Sequence, residues 1–208
     1  MGFTYNLCKT FIRGFFKVFC KARIIGLENL PETGGYILAS NHVSYYDPFA
    51  VGCWIKPDIN YIAKEELFEN RLFNIIITTL KAFPVKRGEI DRSTLKKCLD
   101  VIKNNEVIGI FPEGTRSEDG EVHEAHSGAA TLSILSGAPI VPAAVIGTQN
   151  ALVRKLPPKW KRLIVNYGRP IRPEDFCGDK KEKKNKMSEE LTGSIRQLKK
   201  ELEEIWEP

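Results

Sequence analysis

The chain has 208 residues, enough for one domain with a small appendage, and its 42% hydrophobic residues suffice to bury a core. Its five cysteines are odd in number and widely spaced, so they predict neither a disulfide framework nor a cysteine-based zinc site, and they favour a reducing compartment. The net charge of +5 comes entirely from residues 1–27, which carry five basic residues and no acidic one. A local basic block favours an anionic surface as a partner.

Residues 1–22 form the first predicted unit, with an amphipathic helix over 3–22. Phenylalanine and other apolar side chains recur there at steps of three and four, and a second stripe carries the cations Lys9, Arg13, Lys17 and Lys21. This pattern suits the boundary of an anionic bilayer, but it is also typical of a core-packed helix with a solvated basic face. We expect no cleaved signal, and no apolar run is long enough for a spanning helix.

Residues 23–178 are predicted to form an α/β domain with a mainly parallel sheet and helices on both faces, because short apolar strands alternate with helical segments. The predicted strands cover residues 23–26, 36–39, 60–63, 83–85, 107–111, 139–146 and 163–167. The predicted helices between them cover residues 65–80, 93–103 and 128–136. Residues 179–208 are predicted to form a charged linker at 180–186 and a C-terminal amphipathic helix that packs on the domain.

The most informative segment is Asn41-His42-Val43-Ser44-Tyr45-Tyr46-Asp47-Pro48, which follows an apolar strand. Side chains five residues apart on one helix point about 140° apart, so His42 and Asp47 meet only if the histidine lies in a strand-to-helix turn. Asp-Pro favours that turn, with aspartate at the helix N-cap and proline at the first position. A histidine held by a carboxylate can act as a general base on an alcohol. Taken alone, the spacing more often marks an ordinary cap beside a loop histidine.

A second segment, Phe111–Ser117, also follows an apolar strand, and the carboxyl ends of strands are where open α/β sheets bind ligands. Arg116 can hold a phosphate through its fork of N–H groups, with Thr115 or Ser117 as hydroxyl donors. Glu113 can accept a hydrogen bond from a substrate hydroxyl or hold an arginine. A solvated turn with surface charges is the alternative interpretation of this segment.

Other patterns exclude several kinds of chemistry. Neither a Gly-x-Ser-x-Gly turn nor a Gly-x4-Gly-Lys-Ser/Thr loop occurs, so covalent serine catalysis and nucleotide hydrolysis are not supported. Arg87, at the end of strand 83–85, is a further candidate cation for an anionic substrate. His123 and His126 lie near two glutamates, but this spacing without a third ligand does not predict a metal site. No base-reading module accompanies the basic helix, so no nucleic-acid partner is expected.

With these motifs the chain resembles the 1-acyl-sn-glycerol-3-phosphate acyltransferases, the glycerophospholipid acyltransferase family with a His-x4-Asp motif, in a bacterial form. The likeness runs from about residue 20 to 175 and rests on four segments in the family's order: Asn41–Asp47, Ala82–Arg87, Phe111–Ser117 and Ile140–Gly147. The family often has glycine at the position of Ala82. It also often has Phe-Lys-x-Gly-Ala where this chain has Ala125-His126-Ser127-Gly128-Ala129, a departure that removes an aromatic residue and a lysine near the expected substrate pocket.

The resemblance implies transfer of a fatty acyl group from acyl-CoA or acyl carrier protein to the 2-hydroxyl of lysophosphatidate, which gives phosphatidate without a metal or cofactor. It implies that His42 takes the hydroxyl proton and that Asp47 orients the imidazole. It assigns the phosphate and glycerol of the acceptor to Lys64, Arg87, Glu113, Gly114, Thr115, Arg116 and Ser117.

The same resemblance implies a peripheral, monotopic protein at the cytoplasmic face of the cell membrane, with an anionic membrane surface as a partner. Two alternatives to the expected activity stay open at this point. The acceptor can be glycerol 3-phosphate or another lysophospholipid, because the motifs do not separate these substrates cleanly. The chain can also be a membrane-binding protein with an inactive site, which consumption of a thioester would distinguish.

Overall fold

A computed structural model describes residues 3–56, 58–85, 92–150 and 162–206. The strands in this part of the chain are β1 (Arg23–Ile25), β2 (Tyr36–Ser40), β3 (Ile59–Lys64), β4 (Phe83–Val85), β5 (Val107–Ile110), β6 (Ile140–Ile146) and β7 (Ile164–Tyr167). The α-helices are α1 (Phe3–Phe19), α2 (Asp47–Gly52), α3 (Arg71–Thr79), α4 (Arg92–Lys103), α5 (Gly128–Ser136) and α6 (Lys180–Glu204). Single turns of 3-10 helix lie at Leu27–Asn29, Glu65–Phe68, Thr148–Asn150 and Pro173–Asp175.

The strands form one sheet in the order β1-β7-β6-β2-β5-β3-β4. The five strands from β6 to β4 are parallel to one another, whereas β7 is antiparallel to β6 and β1 is parallel to β7. The predicted α/β class with a mainly parallel sheet is therefore confirmed. Every residue of the central strand β2 is buried, as expected for a parallel sheet covered on both faces.

Apolar clusters cover both faces of the sheet, and alternate residues of β2 belong to different clusters. Tyr36 and Leu38 lie in the cluster that includes α1 and α2, whose buried members are Phe16, Ala50 and Val51. Ile37 and Ala39 lie in the cluster that includes α4, α5 and α6, whose buried members include Cys98, Ala130 and Leu191. The His42 segment begins at the carboxyl end of β2, between the two layers of helices.

The C-terminal helix α6 starts earlier than expected, which corrects the prediction of a linker at residues 180–186. The carboxylate of Asp179 accepts hydrogen bonds from the backbone N–H groups of Lys181 at 2.8 Å and Glu182 at 2.9 Å. This N-cap starts the helix, and the lysines that follow are good helix formers. The helix then packs on the domain through the buried side chains Met187, Leu191, Ile195 and Leu202.

Helix α1 turns two of its cations toward the domain. Lys9 is only 6% exposed. Arg13 donates from Nε to the backbone oxygen of Cys53 and from Nη2 to that of Ile55 at 3.5 Å. Cys53 is the C-cap of α2, where carbonyl oxygens carry partial negative charge, so the guanidinium holds α1 against the end of α2.

The outer surface of α1 is largely apolar. Phe11 is 76% exposed, Val18 65% and Leu7 60%, while Lys17 and Lys21 are exposed beside them. Neither interpretation left open by the sequence describes this helix fully, because it packs on the core and yet shows apolar side chains to the outside. Within the described ranges, no helix is both long and apolar enough to cross a membrane.

The burial of Lys9 has a measurable electrostatic consequence. Loss of hydration and the nearby Arg13 lower the pKa of Lys9 to about 8, and the carboxylate of Asp58 opposes them only in part. The ring of Tyr5 lies 5.5 Å from the Lys9 ammonium. The charged form of Lys9 is therefore more costly in the folded protein than in the unfolded chain.

We predict that Lys9→Met raises the free energy of unfolding at pH 7, because methionine fills a similar volume without a buried charge. Below about pH 8, Lys9 is charged in both the folded and the unfolded protein, so its buried ammonium lowers the free energy of unfolding by the full amount. This cost fades as pH rises from about 8 toward the ordinary lysine value of 10.5, because the folded protein releases this proton first. Urea denaturation should therefore show a gain for Lys9→Met that disappears across this window. The exposed Lys17→Met is the matched control, and a gain that does not change with pH would contradict the prediction.

Candidate functional site

The carboxylate of Asp47 closes the turn that carries His42. Its Oδ2 accepts hydrogen bonds from the backbone N–H groups of Val43 and Ser44 at 2.7 Å each, and lies 2.8 Å from Nδ1 of His42. Asp47 is completely buried. The predicted strand-to-helix placement of the pair is confirmed, but Tyr46 is the N-cap of α2 and Asp47 follows it, because the Asp47 oxygen serves the preceding turn instead of the helix.

The histidine ring is fixed in orientation by its neighbours. The Asp47 carboxylate can only accept, so Nδ1 of His42 carries the proton and Nε2 is left with its lone pair. The His42 ring stacks on Phe111 with 4.0 Å between centroids, and Phe111 stacks in turn on Tyr61 at 6.0 Å. The His42 side chain keeps 17% of its surface exposed. An imidazole held in this way can remove a proton from a bound alcohol.

Glu113 and Ser117 hold the main chain of His42 through hydrogen bonds. Oε1 of Glu113 accepts from the His42 N–H at 3.1 Å, and Oε2 accepts from the His123 N–H at 3.3 Å. The backbone N–H of Ser117 donates to the His42 oxygen at 2.7 Å, and its hydroxyl donates to Asp119. Burial raises the pKa of the Glu113 carboxyl, and the two N–H groups oppose that shift in part.

A cavity of about 1020 Å³ opens beside His42. Of the residues predicted to bind substrate, Lys64, Gly114, Thr115 and Arg116 line it. Glu113 and Ser117 do not, since both are buried and bonded within the protein. Arg87 lies outside the described residues. Apolar side chains form much of the remaining wall, among them Ile12, Phe49, Ile59, Ile62, Leu67, Ile77 and Leu80.

Two residues of the cavity wall have contacts that the sequence did not reveal. Tyr45 lies under Arg116, with its hydroxyl 3.0 Å from Nη2. His126 lies against Gly114, so closely that a Cβ on that glycine would sit 3.2 Å from Cδ2 of the ring. Tyr45 carried no signal beyond its place inside the first motif. His126 was noted in the sequence beside His123 and as a departure from the family pattern, but neither observation predicts its contact with Gly114.

The two histidines that follow the Phe111–Ser117 segment, His123 and His126, do not form a metal site with nearby residues that the structure describes. His123 pairs through Nε2 with Asp119 at 3.1 Å. The Ser117 hydroxyl and the Glu121 N–H, together with His123, lower the pKa of Asp119 to about 2. Within the described part of the chain, no group of three His, Cys, Asp or Glu side chains is placed to hold a metal ion. These contacts order the loop that follows Arg116.

Comparison with known proteins identifies the relatives of this chain. A family model described as Acyltransferase matches residues 21–146, more than half of the chain. The 1-acyl-sn-glycerol-3-phosphate acyltransferase of Bacillus subtilis is 32% identical over 204 residues, which cover 97% of this chain and 100% of that one. The protein of the same name from Streptococcus pneumoniae is 30% identical over 145 residues, which cover 68% of this chain and 52% of that one.

A solved structure is also similar over nearly the whole chain. It is the crystal structure of the 1-acyl-sn-glycerophosphate (LPA) acyltransferase from Thermotoga maritima. The two folds match with a TM-score of 0.76 at 25% sequence identity, covering 98% of this chain and 81% of that chain. The sheet and its helices are therefore shared with a solved member of the same group.

We predict that Glu113→Ala lowers the free energy of unfolding by about 1–3 kcal/mol, because it leaves the partly buried N–H groups of His42 and His123 without their protein acceptor. Glu113→Gln should lose about half as much, since its amide oxygen still accepts from one of them. Urea denaturation measures both values. The exposed Glu118→Ala, in the same loop, is the matched control. Equal stabilities of Glu113→Ala and Glu118→Ala would show that the hydrogen bonds from Glu113 to the main chain do not stabilise the fold.

Proposed function

The chain belongs to the acyltransferase family, and from this membership and the geometry of its site we propose that it acylates the 2-hydroxyl of 1-acyl-sn-glycerol 3-phosphate and so produces phosphatidate. The observation that carries the proposal is the His42–Asp47 pair at the wall of a cavity that also exposes Arg116 and Lys64. A base, two cations and an apolar wall match an acceptor that carries a hydroxyl, a phosphate and a fatty chain. The named Bacillus subtilis relative, matched over its full length, supports this acceptor.

The reaction needs one proton acceptor and a good leaving group. Nε2 of His42 takes the proton of the 2-hydroxyl while the hydroxyl oxygen attacks the carbonyl carbon of the acyl thioester. The Asp47 oxygen, 2.8 Å from Nδ1, stabilises the imidazolium that forms. The carbon–sulfur bond then breaks, and the thiolate leaves with little help because thiols ionise far more readily than alcohols. The imidazolium gives up its proton as the thiol is formed.

The cations of the cavity wall are suited to the phosphate of the acceptor. Arg116 presents a planar fork that matches phosphate oxygens, and Lys64 adds a mobile point charge. The Thr115 hydroxyl can donate to the same group. Arg87 remains a predicted fourth contact from the sequence. The donor is an acyl thioester, and we propose acyl-CoA and acyl carrier protein as the two candidates.

The assay that tests this function measures free thiol released from palmitoyl-CoA or palmitoyl–acyl carrier protein in the presence of lysophosphatidate. We predict release that requires lysophosphatidate and that falls about 10³-fold in His42→Ala, a typical loss for a missing general base. The melting temperature of the variant should stay near that of the wild type, because the N–H groups of Val43 and Ser44 still donate to Asp47 and the ring is partly exposed.

His123→Ala, a histidine outside the cavity wall, is the matched control and should retain turnover. Full turnover by His42→Ala would remove the base from the mechanism. If neither donor releases thiol with lysophosphatidate, the proposed acceptor is wrong. Release with glycerol 3-phosphate or another lysophospholipid would then assign the acceptor, and release with none would favour the inactive membrane-binding alternative.

We also propose that the protein is peripheral and monotopic at the cytoplasmic face of the cell membrane. The exposed apolar side chains of α1, namely Leu7, Phe11 and Val18, support this location. Lys17 on the same helix and Lys21 just after it are exposed, so they can meet anionic headgroups. A lipid acceptor also requires that the enzyme reach a bilayer.

We predict that Phe11→Asp combined with Val18→Asp weakens binding to anionic phosphatidylglycerol vesicles by at least about 100-fold, because each side chain contributes about 1.5–3 kcal/mol when buried in lipid. Sedimentation with vesicles measures the loss. Leu135→Asp is the control for a surface aspartate, because it puts one on an exposed apolar position of α5, on the other face of the sheet. If the double variant sediments like the control, α1 is not the membrane-binding element.

A further inference from the structure

The guanidinium of Arg116 lies on the face of an aromatic ring. Its Cζ is 3.8 Å from the centroid of Tyr45, and its Nη2 donates to the Tyr45 hydroxyl at 3.0 Å. Both side chains line the cavity and both are exposed. Among the residues that the structure describes, no carboxylate pairs with Arg116, so none of these residues neutralises its charge. A cation stacked on a ring and bonded to its hydroxyl is oriented without losing its charge.

We propose that Tyr45 is the positioning residue for Arg116, and through it for the phosphate of the acceptor. The proposal rests on the function proposed above and adds a specific support for its phosphate site. Tyr45 takes one of the five N–H groups of the guanidinium and leaves the others for phosphate oxygens. Tyr45 acts on the acceptor through Arg116, by fixing the direction in which that side chain points.

The backbone of Tyr45 is itself held by the turn that orients the base. The N–H of Ser44 donates to Asp47, and the Ser44 hydroxyl donates to the backbone oxygen of Thr148 at 3.3 Å. The N–H of Tyr46 donates to the Ser44 hydroxyl at 3.3 Å. Tyr45 therefore lies between two anchored residues, three positions after His42, and cannot shift without disturbing the same turn.

The structure of the acceptor requires a phosphate contact that is fixed relative to the base. In lysophosphatidate the reacting hydroxyl and the phosphate ester are on neighbouring carbons, so the base and the phosphate-binding group must keep a short and constant separation. A free arginine side chain has several rotatable bonds and loses about 2 kcal/mol of rotational entropy when a ligand orders it. Stacking on Tyr45 orders Arg116 before the acceptor binds, which reduces that loss at the moment of binding.

A lysine in place of Arg116 would keep the charge but lose the planar group that lies on the ring. The two partners of this contact come from different motifs, 71 residues apart in the chain. Tyr45 thus joins the segment that supplies the base to the segment that supplies the phosphate contact. A change at Tyr45 should alter acceptor affinity, whereas the thioester donor should bind as before.

Tyrosine variants test this role through the split between the two substrates. Tyr45→Phe keeps the stacking and loses the hydroxyl, so KM for lysophosphatidate should rise about threefold. Tyr45→Leu loses both contacts, and the same KM should rise about 20-fold. KM for the acyl donor and the melting temperature should stay at the wild-type values. Tyr46→Phe, the neighbouring tyrosine outside the cavity wall, is the matched control.

A double-variant comparison separates positioning from a direct contact of Tyr45 with the substrate. In an Arg116→Ala protein, Tyr45→Leu should produce no further rise of KM for lysophosphatidate, because the group that Tyr45 positions is absent. An equal 20-fold rise in both backgrounds would overturn the proposal and make Tyr45 a direct substrate contact. No rise in the wild-type background would overturn it as well.

Calorimetric binding of a short-chain lysophosphatidate without any donor distinguishes this inference from the proposed function. The dissociation constant should rise about 20-fold in Tyr45→Leu, in parallel with KM. If the wild type binds this lipid and releases no thiol, the proposed reaction fails, and the change of affinity in Tyr45→Leu alone decides the positioning role. Equal affinities of the wild type and Tyr45→Leu overturn the positioning role even when the reaction proceeds. A wild type that does not bind the lipid overturns both.

Discussion

The candidate site depends on the contacts of one oxygen atom, Oδ2 of Asp47. It accepts from two backbone N–H groups and from the ring of His42, and Asp47 itself lies completely buried at the start of α2. A buried carboxylate is costly unless it is well bonded, and the other Asp47 oxygen has no partner in the described part of the protein. The three donors to Oδ2 therefore keep this charge in place, and the turn they form fixes both His42 and Tyr45.

The register of the sheet brings the second half of the site to that turn. β2 and β5 are parallel neighbours, with Tyr36 paired to Val107 and Ala39 to Ile110, so both strands finish at the same end of the sheet. The segment after β5 therefore meets the segment after β2, and Phe111 stacks on His42. In α/β proteins, ligands bind at the carboxyl ends of the parallel strands. A shift of one residue in this pairing would turn Phe111 to the opposite face.

The sequence predicted the features that depend on neighbouring residues. An apolar strand followed by Asp-Pro placed His42 beside Asp47 correctly, although the N-cap of α2 is Tyr46. These local patterns did not show that Glu113 and Ser117 face the main chain of His42, since both hydrogen-bond pairings are set by contacts between distant segments. The lysine run at 180–186 belongs to α6 and is not a linker, because Asp179 caps the helix there, a contact that the lysine-rich composition does not reveal.

The orientation of helix α1 on the domain is a feature that the sequence alone does not predict. Its periodicity separates two stripes, but only the tertiary contacts of Arg13 with the end of α2 decide which stripe faces inward. The same helix lines the cavity with Tyr5, Lys9 and Ile12 and shows Phe11 to the outside. The cavity wall and the outer apolar surface are thus separated by one helix, a distance of about 10 Å. Interfacial helices sink about 5–10 Å into the headgroup region, so an α1 bound in this way brings the cavity to the depth where the phosphate of a membrane lipid lies.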